Sequence, residues 1–173
     1  MINRVTKFGL FSLIIILLQI LLFNNIQFSG YVNPYVYIII ILLMPADIQA
    51  WVVLLVAFAT GLIVDFSSGT PGMHASATLA AGFSRHHVLR LIAPREGYEP
   101  GSELSMTNYG IYWFLLYTSI IVLIHHTILF FIEVFRFDGF FRTVLRILLS
   151  TLFTAGFVLI AEFYRKKRKQ SPR

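Results

Sequence analysis

Residues Phe8 to Phe23 form an apolar run with no charge and a single strongly polar residue, Gln19. A soluble helix shows water a polar face, whereas this run is greasy on every side. Its length approaches the roughly 20 helical residues that cross a bilayer core of about 30 Å. Several further runs share this character, and the chain as a whole is 57% hydrophobic and only 13% charged. The sequence therefore predicts an integral inner membrane protein, whose helices have lipid as their solvent. Function must then be sought in the few polar residues that such a setting tolerates.

Six spans fit the pattern, at about Phe8–Phe28, Tyr35–Met44, Ile48–Val64, Met73–Ile92, Tyr109–Phe135 and Phe140–Tyr164. The expected fold class is all-α, a compact six-helix membrane bundle over residues 1–164, followed by a basic tail over 165–173. The second and third spans are short for a bilayer. Arg4 and Lys7 ahead of the first run resemble a signal peptide, but the run ends in Asn24-Asn25-Ile26-Gln27 without a small-x-small cleavage site and reads as an uncleaved span. Basic residues gather at the N-terminus (Arg4, Lys7), around the loop after the fourth span (Arg85, Arg90, Arg95) and in the tail (Arg165 to Lys169, Arg173). Six spans put all three groups on one side, which the positive-inside bias makes the cytoplasm. Arg136, Arg142 and Arg146 fall at the opposite face. A net charge of +6 distributed this way marks topology, and no nucleic-acid partner is expected. With no cysteine, disulfides, iron–sulfur clusters and cysteine-ligated zinc are excluded.

Asp65 is the most informative single residue. It closes an apolar run and opens the turn Phe66-Ser67-Ser68-Gly69-Thr70-Pro71-Gly72, in which Ser67, Ser68 and Thr70 are candidate caps for a helix starting near Pro71. Two readings are open: a solvated carboxylate in a surface hairpin, or a buried one that needs a partner. In the six-span layout His74, His125, His126, Glu133, Arg142 and Arg146 lie at the same depth. His126 and Glu133 share a helical face, as do Arg142 and Arg146. These residues are expected to form a polar network, with Asp65 or Glu133 neutralised by Arg142 or Arg146. No metal site or cofactor is expected: neighbours such as His125 and His126 diverge by about 100° on a helix, and no His-Glu-x-x-His pattern is present. His86-His87 reads as an interfacial surface, and Ala93–Thr107 as a polar connector or a docking site for a cytoplasmic partner. No enzyme constellation is found. Ser67-Ser68-Gly69 lacks a Gly-x-Ser-x-Gly frame, and Asp47 and Asp65 stand at opposite ends of one span.

The order Gly61, an apolar triplet, Asp65, a Ser/Gly turn with Gly69, Pro71-Gly72, an apolar residue and then His74-Ala75 resembles the rod shape-determining protein MreD family. Arg95-Glu96-Gly97-Tyr98, the His125-His126 pair, Glu133 and the opening Gln27–Pro34 look like that family's Bacteroidetes branch. The resemblance implies a non-enzymatic subunit of the cell-elongation machinery. It implies binding to an MreC-like bitopic protein, and through it to MreB-like filaments and peptidoglycan synthases. It also implies a bundle similar to the substrate-binding subunits of energy-coupling-factor transporters. Gly61, Asp65, Gly69, Pro71, Gly72 and His74 would be structural or partner-facing. The alternative function is a small-molecule-binding membrane subunit of a transporter.

Overall fold

A computed structural model describes residues 2–26, 32–134 and 139–170, with side chains from residue 5 to residue 167. The expected end of the first span at Phe28, Arg136 and the end of the basic tail lie outside the described residues or side chains. Among the described residues the chain is all-helical: α1 (Ile2–Leu21), α2 (Ile39–Leu42), α3 (Ala50–Ser68), α4 (Met73–Leu91), α5 (Met106–Tyr109), α6 (Ile111–Val134) and α7 (Phe140–Gln170). Among the described residues four stretches are long and apolar enough to cross a membrane: Val5–Asn25, Ala50–Ser68, Ile111–Val134 and Phe140–Lys167. Their outward faces carry Leu13, Leu17, Phe58, Leu116, Leu148 and Leu152, all exposed, as lipid-facing side chains should be.

The other two expected spans depart from this description in different ways. α4 has the length of a span, 19 residues, but mixes small, polar and basic residues. It is sheltered by packing against α3 and α6. The stretch expected as a second span, Tyr35–Met44, is no lipid-facing helix. It holds one 3-10 turn (Val36–Ile38) and the four-residue α2. Tyr37 to Leu43 have no exposure at all, so this stretch is the core of the bundle.

Irregular backbone inside a membrane protein survives only if protein groups satisfy it. Four of the surrounding helices contribute. Before α2, Asn33 N donates to Ser150 Oγ (3.1 Å) and Tyr35 N to Thr154 Oγ1 (3.1 Å), both on α7. Gln19 of α1 donates to the Pro34 carbonyl (3.2 Å) and accepts from Tyr37 N (3.3 Å), which explains the lone polar residue of the first run. After α2, the Tyr117 hydroxyl of α6 donates to the Leu42 carbonyl (3.3 Å). Arg85 Nη2 of α4 donates to the carbonyls of Met44 and Pro45, and its Nε donates to the Tyr117 hydroxyl (3.0 Å). Arg85, expected in a cytoplasmic loop, is instead only 3% exposed and closes the C-terminal end of the buried segment.

α3 and α4 pack backbone to backbone. A Cβ on Gly61 would stand 2.6 Å from both Ala75 Cα and the His74 carbonyl oxygen. Further along, the Gly82 position meets Ala57 Cβ. Small residues spaced by four on both helices allow this approach.

Candidate functional site

The distal end of the bundle, where α3 and α6 finish and α4 and α7 begin, gathers most of the polar residues singled out in the sequence. Its first element is the α3–α4 turn. Gly69 (φ +67°) ends α3 in the left-handed conformation, and Gly72 (φ +83°) occupies the cap position of α4. Glycine offers no side-chain oxygen to the first amides of the helix. Asp65 supplies it from across the turn. Its Oδ1 accepts from His74 N and from Thr70 Oγ1, and its Oδ2 accepts from Ala75 N, each at 2.9 Å. Met73 N donates to the Thr70 carbonyl and Ser76 N to that of Gly72, so all four opening amides of α4 are satisfied. Asp65 is 2% exposed, which selects the buried reading. Its partners are amides and a hydroxyl, however, and no arginine. The expected caps act elsewhere: Ser67 Oγ donates to the Val64 carbonyl and Ser68 Oγ accepts from Asn24 Nδ2. Pro71 is exposed at the turn.

Beneath this turn lies a buried cluster of hydroxyls and imidazoles. The Tyr37 hydroxyl lies 2.8 Å from His125 Nε2, 2.9 Å from Thr78 Oγ1 and 3.3 Å from His74 Nδ1. Thr78 already donates its proton to the His74 carbonyl (2.6 Å), so it accepts from Tyr37. Counting protons, both imidazoles then donate to the Tyr37 oxygen. His126 is held separately. Its Nδ1 donates to the Val122 carbonyl (2.8 Å), and its Nε2 accepts from Thr154 Oγ1 (3.3 Å). The adjacent His125 and His126 thus turn to different partners. The Tyr35 ring ties the two sets together, with centroids 4.8 Å from His74 and 5.6 Å from His126.

The third element is ionic. Arg146 Nη1 donates to Glu133 Oε1 at 2.9 Å, and the guanidinium lies over the Phe130 ring at 4.2 Å. Turned so that its oxygen faces the guanidinium, the Asn33 amide accepts from Arg146 Nη2 at 2.8 Å. Glu133 is therefore the carboxylate that meets an arginine. Arg142 is exposed and stands apart from this contact. A cavity of about 430 Å³ opens beside the pair, lined also by Asn24, Asn33, Tyr35, Thr70 and His74.

At the other end, Arg165 bridges Glu103 of the long loop and the buried Glu162 one turn earlier on α7. That loop is anchored by Gly101 N on Asp47 Oδ2 (2.8 Å) and by the Tyr98 hydroxyl on the Leu89 carbonyl (2.8 Å). Burial pushes the Tyr98 phenol up to about 12, so it keeps its donor proton at neutral pH. His86 and His87 are exposed. Among the described residues no group of three or more His, Cys, Asp and Glu could hold a metal ion.

Sequence reasoning missed Gln19, Tyr35, Tyr37, Thr78, Arg85, Tyr117, Ser150 and Thr154. Two signals were present. Thr78 follows His74 by four residues, and Arg146, Ser150 and Thr154 repeat at four on α7, which marks one polar stripe on a greasy helix.

All-helical among its described residues, with four of those helices apolar and long enough to cross a membrane, the chain is a membrane protein. No family model, curated protein or solved structure matches the chain.

Proposed function

We propose that this protein is an MreD-like scaffold subunit of the machinery that elongates bacterial cells. It does no chemistry of its own. It binds an MreC-like bitopic protein in the inner membrane, and through that partner couples MreB-like filaments to peptidoglycan synthases. The observation that carries the reading is the α3–α4 hairpin. Of the positions on which the resemblance rests, Gly61, Asp65, Gly69, Gly72 and His74 are spent on fixing two helices against each other, while Pro71 stays exposed at the turn. Residues used in this way make a rigid body and leave recognition to its surface. The exposed apolar faces of α1 and α7 suit lateral docking of another helix by shape.

The reading includes six passes, with the buried stretch around α2 counted as one and both termini in the cytoplasm. The antiparallel order of α3, α4, α6 and α7 supports it, as do the basic residues Lys7, Arg165, Lys166 and Lys167 near the two chain ends. Capture of the tagged chain in mild detergent should recover an MreC-like protein and cell-wall synthases, and its deletion should round rod-shaped cells. Recovery of the chain alone, with rods unchanged on deletion, refutes the proposal. A second reading, a small-molecule-binding subunit of a transporter, draws on the cavity beside Glu133 and Arg146.

A further inference from the structure

The distal cavity has the size of a small-molecule site, about 430 Å³. Its lining is divided by chemistry. Ile20 of α1, Phe23 just beyond that helix and Leu129 of α6 make an apolar wall, while Asn24, Glu133 and Arg146 supply polar groups. The two charges oppose each other at 2.9 Å, and their side chains remain 37% (Glu133) and 18% (Arg146) exposed. The terminal Arg146 NH2 groups spend one N–H each on Glu133 and Asn33, so the guanidinium keeps further donors.

This charge balance limits what can enter. A lone anion that drew Arg146 away would leave Glu133 uncompensated, and a lone cation at Glu133 would do the same to Arg146. Either loss leaves an uncompensated charge at a partly buried site. A ligand carrying both signs avoids both losses, because it replaces one ion pair by two. The hydroxyl and amide groups around the pair can bond the polar body of such a ligand, and the apolar wall can take its alkyl part.

We propose that this cavity binds a small zwitterion, an amine and a phosphate joined by a short alkyl chain, with Glu133 receiving the ammonium and Arg146 the phosphate. The chemistry is that of a free aminoalkyl phosphate or of an ethanolamine phospholipid headgroup. The inference goes beyond the scaffold reading and does not depend on it.

The test is thermal unfolding of the purified full chain in two arms. In the first, delipidated protein in detergent is titrated with phosphoethanolamine, with inorganic phosphate and choline chloride as single-charge controls. In the second, the protein is compared in nanodiscs of phosphatidylethanolamine and of phosphatidylglycerol. Stabilisation by phosphoethanolamine identifies a soluble zwitterion, and stabilisation confined to phosphatidylethanolamine discs identifies the lipid. In the arm that responds, Glu133→Gln and Arg146→Gln should each weaken binding about tenfold or more, as loss of a charge-assisted bond does. Arg142→Gln, an exposed neighbour outside the cavity, should leave it unchanged. Absence of stabilisation in both arms, equal stabilisation by phosphate or choline, or a response that survives the Glu133 and Arg146 variants overturns the proposal. If Arg146→Gln does not fold, Glu133→Gln decides alone, because it keeps an acceptor for Arg146.

Discussion

Replacing Asp65 by asparagine tests how the buried carboxylate is held. The carboxylate takes three hydrogen bonds of 2.9 Å, two of them from backbone amides that have no water to turn to. An asparagine oxygen in the Oδ1 position keeps His74 N and Thr70. Its NH2 group then faces Ala75 N, donor against donor. One bond to a charged acceptor is lost, a term of about 1.5–3 kcal/mol, and the two survivors weaken as the acceptor becomes neutral. The expected cost is about 2–4 kcal/mol. Asp65→Ala strands both amides at about 1–3 kcal/mol each and removes the cap, so its cost should be as large or larger. Thermal or denaturant unfolding of the detergent-solubilised protein measures both. The double variant Asp65→Asn/Arg146→Gln supplies the decisive comparison. Because no arginine touches Asp65, the two changes should add within about 0.5 kcal/mol. An Asp65→Asn protein as stable as the parent, or a coupling of about 2 kcal/mol between the two sites, refutes the amide-cap account.

Three further outcomes follow from the packing and bonding. Gly61→Ala drives a methyl into the α4 backbone, where nothing can rotate away, and should destabilise by at least the roughly 1–3 kcal/mol typical of overpacking; Ala75→Gly in the same chain should restore little, because the His74 carbonyl remains in the way. Arg85→Met leaves the Met44 and Pro45 carbonyls without their donor and should cost about 2–5 kcal/mol in unfolding experiments, with Arg85→Lys recovering part of it. Tyr37→Phe removes the hydroxyl shared by His74, Thr78 and His125 and should cost about 1–3 kcal/mol, whereas Tyr112→Phe on the exposed face of α6 should stay within about 0.5 kcal/mol of the parent.

The apolar runs were legible because lipid imposes length and composition on each crossing independently. α1, α3, α6 and α7 could therefore be read segment by segment. Tyr35–Met44 could not. Its isoleucines and leucines look the same whether lipid or protein surrounds them, and only the tertiary partners Gln19, Arg85 and Thr154 separate the two cases. Asp65 was found through its position at the close of an apolar run, but which carboxylate meets an arginine was left open between Asp65 and Glu133, and it is Glu133 that does. A search for opposite charge overlooks backbone amides, which carry no letter in a sequence. Glu133 and Arg146 were placed at one depth by counting spans, and their contact depends on which faces of α6 and α7 meet.

The buried stretch around α2 also constrains how the molecule comes into being. Its backbone donors at Asn33 and Tyr35 find their acceptors on Ser150 and Thr154, more than a hundred residues later in the chain. Until the last helix has been synthesised and docked, this early segment lacks a finished binding place within the bilayer. Biogenesis must therefore proceed out of sequence, with the middle of the protein settling only after its end. A ribosome stalled before α7 would hold the earlier helices around an unsealed centre.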